Sequence, residues 1–172
     1  MKNKSTLVLI KLIFTFCIYL FSSDQIVAQD ADILELNSIS NIQAKSSIAK
    51  KNNRIDFYNL IHNLHPTIYI DNNTIKKIYG NNPIKKITIE NSQSYSILNS
   101  KNNNYKSVEL ITLKLESISD LNNPIDLSNI SEFENLKYVY VKCYFKHTAD
   151  DIKKFIKTNS NVRVFHIYAK PS

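Results

Sequence analysis

The chain has 172 residues, a formal net charge of +7, 43% hydrophobic residues, one glycine, four prolines, two cysteines and no tryptophan. That length suits one ordinary domain. The single glycine, Gly80, excludes chemistry built on glycine-rich phosphate loops; the cysteine count excludes a disulfide framework, and the hydrophobic fraction excludes a disordered chain.

The first 28 residues read as a secretory signal. Lys2, Lys4 and Lys11 give a basic start, Leu12–Phe21 is an apolar run, and Ser22–Ala28 turns polar and then small. A bilayer needs about 20 apolar helical residues, so this run is too short to span one. Cleavage is expected after Ala28, leaving Gln29 as the first residue of a secreted or periplasmic protein with no stable membrane span. Cys17 follows Phe16 and sits inside the apolar run, which makes it part of the signal core rather than a lipid-attachment site. Losing Lys2, Lys4, Lys11 and Asp24 leaves a net charge of +5. That is mildly basic and is not a nucleic-acid signature.

Residues 29–64 are expected to form an N-terminal cap segment, and residues 65–172 the main domain. Asp30–Lys51 is polar and weakly patterned. Over Arg54–Leu64 the spacing predicts a helix with Ile55, Tyr58, Ile61 and Leu64 on one face. His62 and His65 close that helix at a spacing found in zinc sites, but no third ligand follows at a motif spacing, and Pro66 pushes His65 out of helical conformation. Exposed histidines at a helix end are the simpler reading. Thr67–Ile70 reads as a short capping strand.

Four further segments share apolar residues at their first, fourth and sixth positions: Ile84/Ile87/Ile89, Val108/Ile111/Leu113, Leu136/Val139/Val141 and Val162/Phe165/Ile167, at spacings of 24, 28 and 26. Each suits a strand with one buried face. Between the second and third, Ile125, Leu127, Ile130 and Phe133 form an irregular apolar ladder. Between the third and fourth, Thr148 predicts an N-cap for a helix reaching Asn159, with Asp150 and Asp151 in its first turn and Ile152, Phe155 and Ile156 as its stripe. A crossover of that length predicts parallel strands with a right-handed connection.

These segments resemble a leucine-rich-repeat protein over residues 84–169, best in the run from Ile130 to Val141. The resemblance implies an α/β fold: a small stack of parallel strands with short helical or irregular crossovers and an N-terminal cap helix. The family's ninth-position asparagine or cysteine falls on Ser92, Glu116, Tyr144 and Lys170, so its internal hydrogen-bond ladder is missing.

Cys143, His147, Asp150 and Asp151 are the residue types of a thiol nucleophile, a base and its orienting acid. Alternation turns Cys143 inward with Val139 and Val141, where a thiol is packing rather than a nucleophile. Glu90, Glu109, Glu116 and Asp120 show no acid–base pattern for glycoside hydrolysis. No cofactor is implied. The same alternation predicts an open strand face carrying Lys86, Thr88 and Glu90, then Leu110, Thr112 and Lys114, then Tyr138, Tyr140 and Lys142, then Val164, His166 and Tyr168. Tyr138, Tyr140, Lys142, His166 and Tyr168 gather there as a candidate binding patch, since tyrosine is enriched at interfaces. The expectation is an exported, non-catalytic module that binds a protein, a peptide or a glycan across this face. A small exported hydrolase and an envelope immunity or inhibitor protein are the alternatives.

Overall fold

Short β-branched segments separated by asparagine- and serine-rich turns build a mixed α/β fold around one mostly parallel sheet. It was analysed as a computed structural model, which describes residues 33–35, 48–129 and 131–170. The expected signal peptide, its cleavage site, Cys17 and most of the polar cap segment lie outside the described residues.

Among the described residues the sheet has seven strands: β1 (Ile33–Glu35), β2 (Thr67–Asp71), β3 (Thr74–Tyr79), β4 (Lys86–Ile89), β5 (Leu110–Leu115), β7 (Tyr138–Cys143) and β9 (Arg163–Tyr168), in the order β1-β9-β7-β5-β4-β2-β3. All neighbours run parallel except β2 and β3, a hairpin turned by Asn72 and Asn73 in the left-handed region. Asparagine tolerates that conformation, which explains the Asn-Asn turn. The expected capping strand is therefore one arm of a hairpin whose second arm the periodicity did not reveal. A two-stranded ribbon joins β6 (Ile125–Asp126) to β8 (Ile156–Lys157).

From β2 to β9 the parallel strands lie in chain order, and their registers build continuous rows. Ile68, Ile87, Ile111, Val139 and Val164 make one row, and Ile70, Ile89, Leu113, Val141 and His166 the next. The connectors fold back over this face. Three are 3-10 segments (Ser92–Asn99, Asn103–Ser107 and Ile118–Asn122), and the last contains helix α2 (Ala149–Phe155). Tyr95, Leu98, Tyr105, Ile125, Leu127, Phe133, Ile152 and Phe155 fill the main core against the strands. Short polar links tie the connectors together: Ser92 Oγ donates to Asp120 Oδ1 at 2.7 Å, and Ser94 Oγ to Asn91 Oδ1 at 2.7 Å. Asp120 in turn accepts from the backbone N–H groups of Glu116 and Ser117 at 2.8 and 2.9 Å.

Helix α2 starts where the sequence predicts. Thr148 accepts from Asp151 N at 3.2 Å, and Asp151 Oδ2 accepts from Thr148 N at 2.8 Å. It ends early, at Phe155, because Ile156 takes an extended conformation and pairs with Ile125. Ile152, Phe155 and Ile156 are buried as expected.

Helix α1 (Ile48–His62) packs on the other side of the sheet. Among its described side chains, Phe57 and Leu60 are buried, flanked by Tyr58 and Ile61, rather than the stripe expected from spacing. Ile55 is 52% and Leu64 83% exposed. The sheet is thus covered on both faces over β5, β7 and β9, the condition under which strands carry apolar residues at successive positions.

Candidate functional site

Two corrections follow from α1. The face bearing Tyr138 and Tyr140 is not open: Phe57 stacks on Phe165 with ring centroids 4.0 Å apart and meets Tyr138 and Tyr140 edge-on at 5.6 and 5.5 Å. Tyr138 is 3% and Tyr140 9% exposed. Burial, reinforced by the neighbouring Tyr144 and Tyr58 hydroxyls, pushes the Tyr140 phenol up to about 12.

The second correction concerns the phase of β9. Val164 pairs with Val139 and His166 with Val141, so Val164, His166 and Tyr168 share the main-core face, and Phe165 and Ile167 share the α1 face. His166, 2% exposed, is buried there, with Nδ1 2.9 Å from His147 Nε2. The His147 Nδ1–H donates to the Phe145 carbonyl at 3.2 Å. His147 Nε2 is then the acceptor in the neutral ring, and His166 Nδ1 carries the proton between them. Val164-Phe165-His166-Ile167 has a large apolar residue at each parity, Val164 on one and Phe165 and Ile167 on the other, and the spacing placed the wrong one inward. The five expected binding residues therefore do not form one patch. Tyr138 and Tyr140 lie under α1, His166 and Tyr168 point to the opposite face, and Lys142 stays on the α1 face at its rim.

The other sequence candidates settle on structural roles. Cys143 is fully buried among the core strands, and burial pushes its thiol up to about 12, a state unsuited to a nucleophile. Tyr95 packs edge-on against Phe155 in the same core. His62 is exposed and stacks on Tyr58 at 5.7 Å, while a ring N–H of His65 donates to the Asn59 carbonyl at 3.2 Å. Among the described residues no group of three or more His, Cys, Asp or Glu side chains could hold a metal ion. Among them, too, no helix is long and apolar enough to cross a membrane. Glu109 lies between Lys85 and Lys137. Burial works against its charge, but hydrogen bonds from both lysines outweigh that and hold its carboxyl below the ordinary value. Asp120 sits in the connector network and likewise titrates low: its burial is outweighed by hydrogen bonds from Ser117, Ser92 and Glu116.

What α1 leaves uncovered is a strip of the same sheet face. Helix α1 crosses β9, β7 and β5 at the level of Phe165, Tyr138, Tyr140 and Leu110, and its end reaches β4, where Lys86 Nζ donates to the Asn63 carbonyl at 3.3 Å. Beside it, Tyr69, Thr88 and Thr112 form one partly exposed row, and Glu90, Lys114 and Lys142 form the next, with Tyr58 and Tyr144 at the edge. Lys114 and Glu90 are ion-paired. Lys142 is directly in register with Lys114, and no hydrogen bond or ion pair engages its side chain among the described residues. Alternation already placed Thr88, Glu90, Thr112, Lys114 and Lys142 on this face. Tyr69, in the middle of β2, and Tyr144, just past the end of β7, were missed because both lie outside the four repeated segments. No family model matches this chain, and neither a curated protein nor a solved structure does.

Proposed function

We propose that the protein is an exported, non-catalytic interaction module that engages an extended partner along the strip beside α1. In this reading residues 67–168 form a short, degenerate stack of leucine-rich-repeat-like units, with α1 as a cap folded onto part of the strand face. The chain-order sequence of parallel strands from β2 to β9, with connectors on a single face, supports the stack. The basic, apolar and polar succession of residues 1–28 supports export.

One observation carries the binding role. Among the described residues, the strip is where tyrosine, threonine and lysine side chains from β2, β4, β5 and β7 remain partly exposed in registered rows beside α1. Such rows offer side-chain contact from a rigid sheet, and little ordering entropy is lost on binding.

The test is an array of extended peptides and oligosaccharides probed with the mature protein and with two strip-blocking variants, Thr112→Arg and Thr88→Arg. Circular dichroism verifies that each variant is folded. Retained ligands should be lost from both variants and released chemically unchanged. Equal retention by the variants would rule out the strip, and cleaved ligand would reveal a hydrolase.

A further inference from the structure

Within that strip Lys142 has no partner among the described residues, and its position has a specific geometry. Lys114 and Lys142 occupy the same register position on adjacent parallel strands and point to the same face. Neighbouring strands lie about 4.8 Å apart, so the two lysines stand side by side. Like charges directly opposite on a sheet are destabilising. Two carboxylates lie beyond Lys114 and both are engaged: Glu90 pairs with Lys114, and Asp71 at the end of β2 accepts from the side-chain amide of Asn91. The side chains of Lys114 and Glu90 are only 27% and 32% exposed, so water screens the row less than it would an open surface. Beyond Lys142, the registered position on β9 is Ile167, which offers no charge.

The contrast with the opposite end of the strands sharpens the point. There, Glu109 stands between Lys85 and Lys137 and bonds both, and Asp56 of α1 adds a second carboxylate 3.7 Å from Lys137. A two-lysine, one-glutamate row is completed there by the fold. At the strip it is left incomplete on the side that faces solvent.

Resting on the reading of the strip as the binding surface, we infer that its partner is an acidic extended protein segment, one carboxylate of which seats between Lys114 and Lys142. Carboxylate and lysine lock the register, while side chains alternating with the carboxylates meet Tyr69, Thr112 and Tyr144. A peptide is favoured over a sugar by spacing and charge: an extended segment repeats its side chains on one face about every 6.6 Å, as the strip's two rows do along each strand, and Lys142 calls for a carboxylate rather than a hydroxyl.

The experiment is fluorescence anisotropy with a labelled peptide of alternating Glu and Val, against wild type, Lys142→Gln and Lys154→Gln. Lys154 lies exposed on α2, so its variant makes the same change in net charge away from the strip. Wild type should bind the peptide with an affinity that falls as salt rises. Lys142→Gln should weaken it by about tenfold or more, and Lys154→Gln by less than about twofold. Lys142→Glu, which supplies the missing carboxylate from within, should abolish binding while raising the urea midpoint of the free protein. Four results would overturn the inference: no binding by wild type, equal weakening by the two glutamine variants, an unchanged or lowered midpoint for Lys142→Glu, or capture of oligogalacturonate in preference to the peptide. Ligands lost with Thr112→Arg but indifferent to Lys142→Gln would sink this inference and leave the strip reading intact. Indifference to both variants would sink the two together.

Discussion

Phe57 is the residue on which the covered face depends, and Phe57→Ala tests that role. The ring is fully buried, stacks on Phe165, and presents edges to Tyr138 and Tyr140. Truncating a buried phenylalanine costs about 3–5 kcal/mol, and each lost aromatic pair is worth about 0.5–1.5 kcal/mol beyond area. These overlap, so the working figure is about 4 kcal/mol, a large part of the roughly 5–15 kcal/mol available to a domain. Two assays separate the ways this loss can appear. Urea denaturation followed by far-UV circular dichroism reports the global change. Spectroscopic titration of tyrosine reports the local one, since the Tyr140 phenol, held at about 12 mainly by burial, should fall back toward its ordinary 10 once α1 lifts. A destabilisation below about 1 kcal/mol, the range of an ordinary surface substitution, combined with an unshifted tyrosine titration, would refute the covered-face geometry.

Two further outcomes follow from the polar framework. Glu109 titrates below its ordinary 4.5 in the folded protein because Lys85 and Lys137 bond its carboxylate. A depressed folded value means the stabilisation is fully present above the unfolded value and is lost as pH falls through the folded one. The wild-type urea midpoint should therefore drop on acidification below about pH 4.5, and Glu109→Gln should lower the neutral-pH midpoint and flatten that drop; parallel curves for the two proteins would contradict the assignment. Thr148→Ala removes the acceptor for Asp151 N at the start of α2 and should cost about 1 kcal/mol, whereas Thr148→Ser should cost little.

The core strands were legible in the sequence because their inward residues keep one parity: Ile87 and Ile89, Ile111 and Leu113, Val139 and Val141 are all buried as their alternation predicts. The start of α2 was legible because a cap leaves a local chemical mark. Strand β9 was not, since Val164-Phe165-His166-Ile167 has large apolar residues at both parities, and its register with β7, with α1 covering the far side, decides which pair faces the connectors. Phe57 escaped for a related reason. Ile55, Tyr58, Ile61 and Leu64 and the competing set Phe57, Leu60 and Ile61 are both helical stripes, and the choice between them is made by the aromatic face they dock on. The same effect changes what aspartate substitutions report. With one exposed face, Val139→Asp would be disruptive and Tyr140→Asp mild; with α1 in place both bury a charge, and both should cost several kcal/mol.

The edge of the sheet bears on where a partner can approach. Strand β3 is exposed along its whole length, and an exposed edge is in principle a template for strand addition. Its register argues otherwise. Ile75 pairs with Ile70 and Lys77 with Tyr69, which leaves Lys76 as the extra residue of a bulge. A bulge bends the strand and breaks the regular ladder that an incoming strand would need, and Lys76 and Lys77 add charge on both sides of the break. Self-pairing of two β3 strands in antiparallel fashion about the 76–77 pair would also set lysine against lysine. The edge is thus built to stay single. The strip beside α1 differs in each respect: its backbone is already paired on both sides, its side chains are held in register by four strands, and its Lys142 has no carboxylate partner among the described residues. An acidic segment lying there would be recognised by side chains on a fixed sheet, without backbone pairing, so substituting Lys142 would change affinity while leaving the sheet intact.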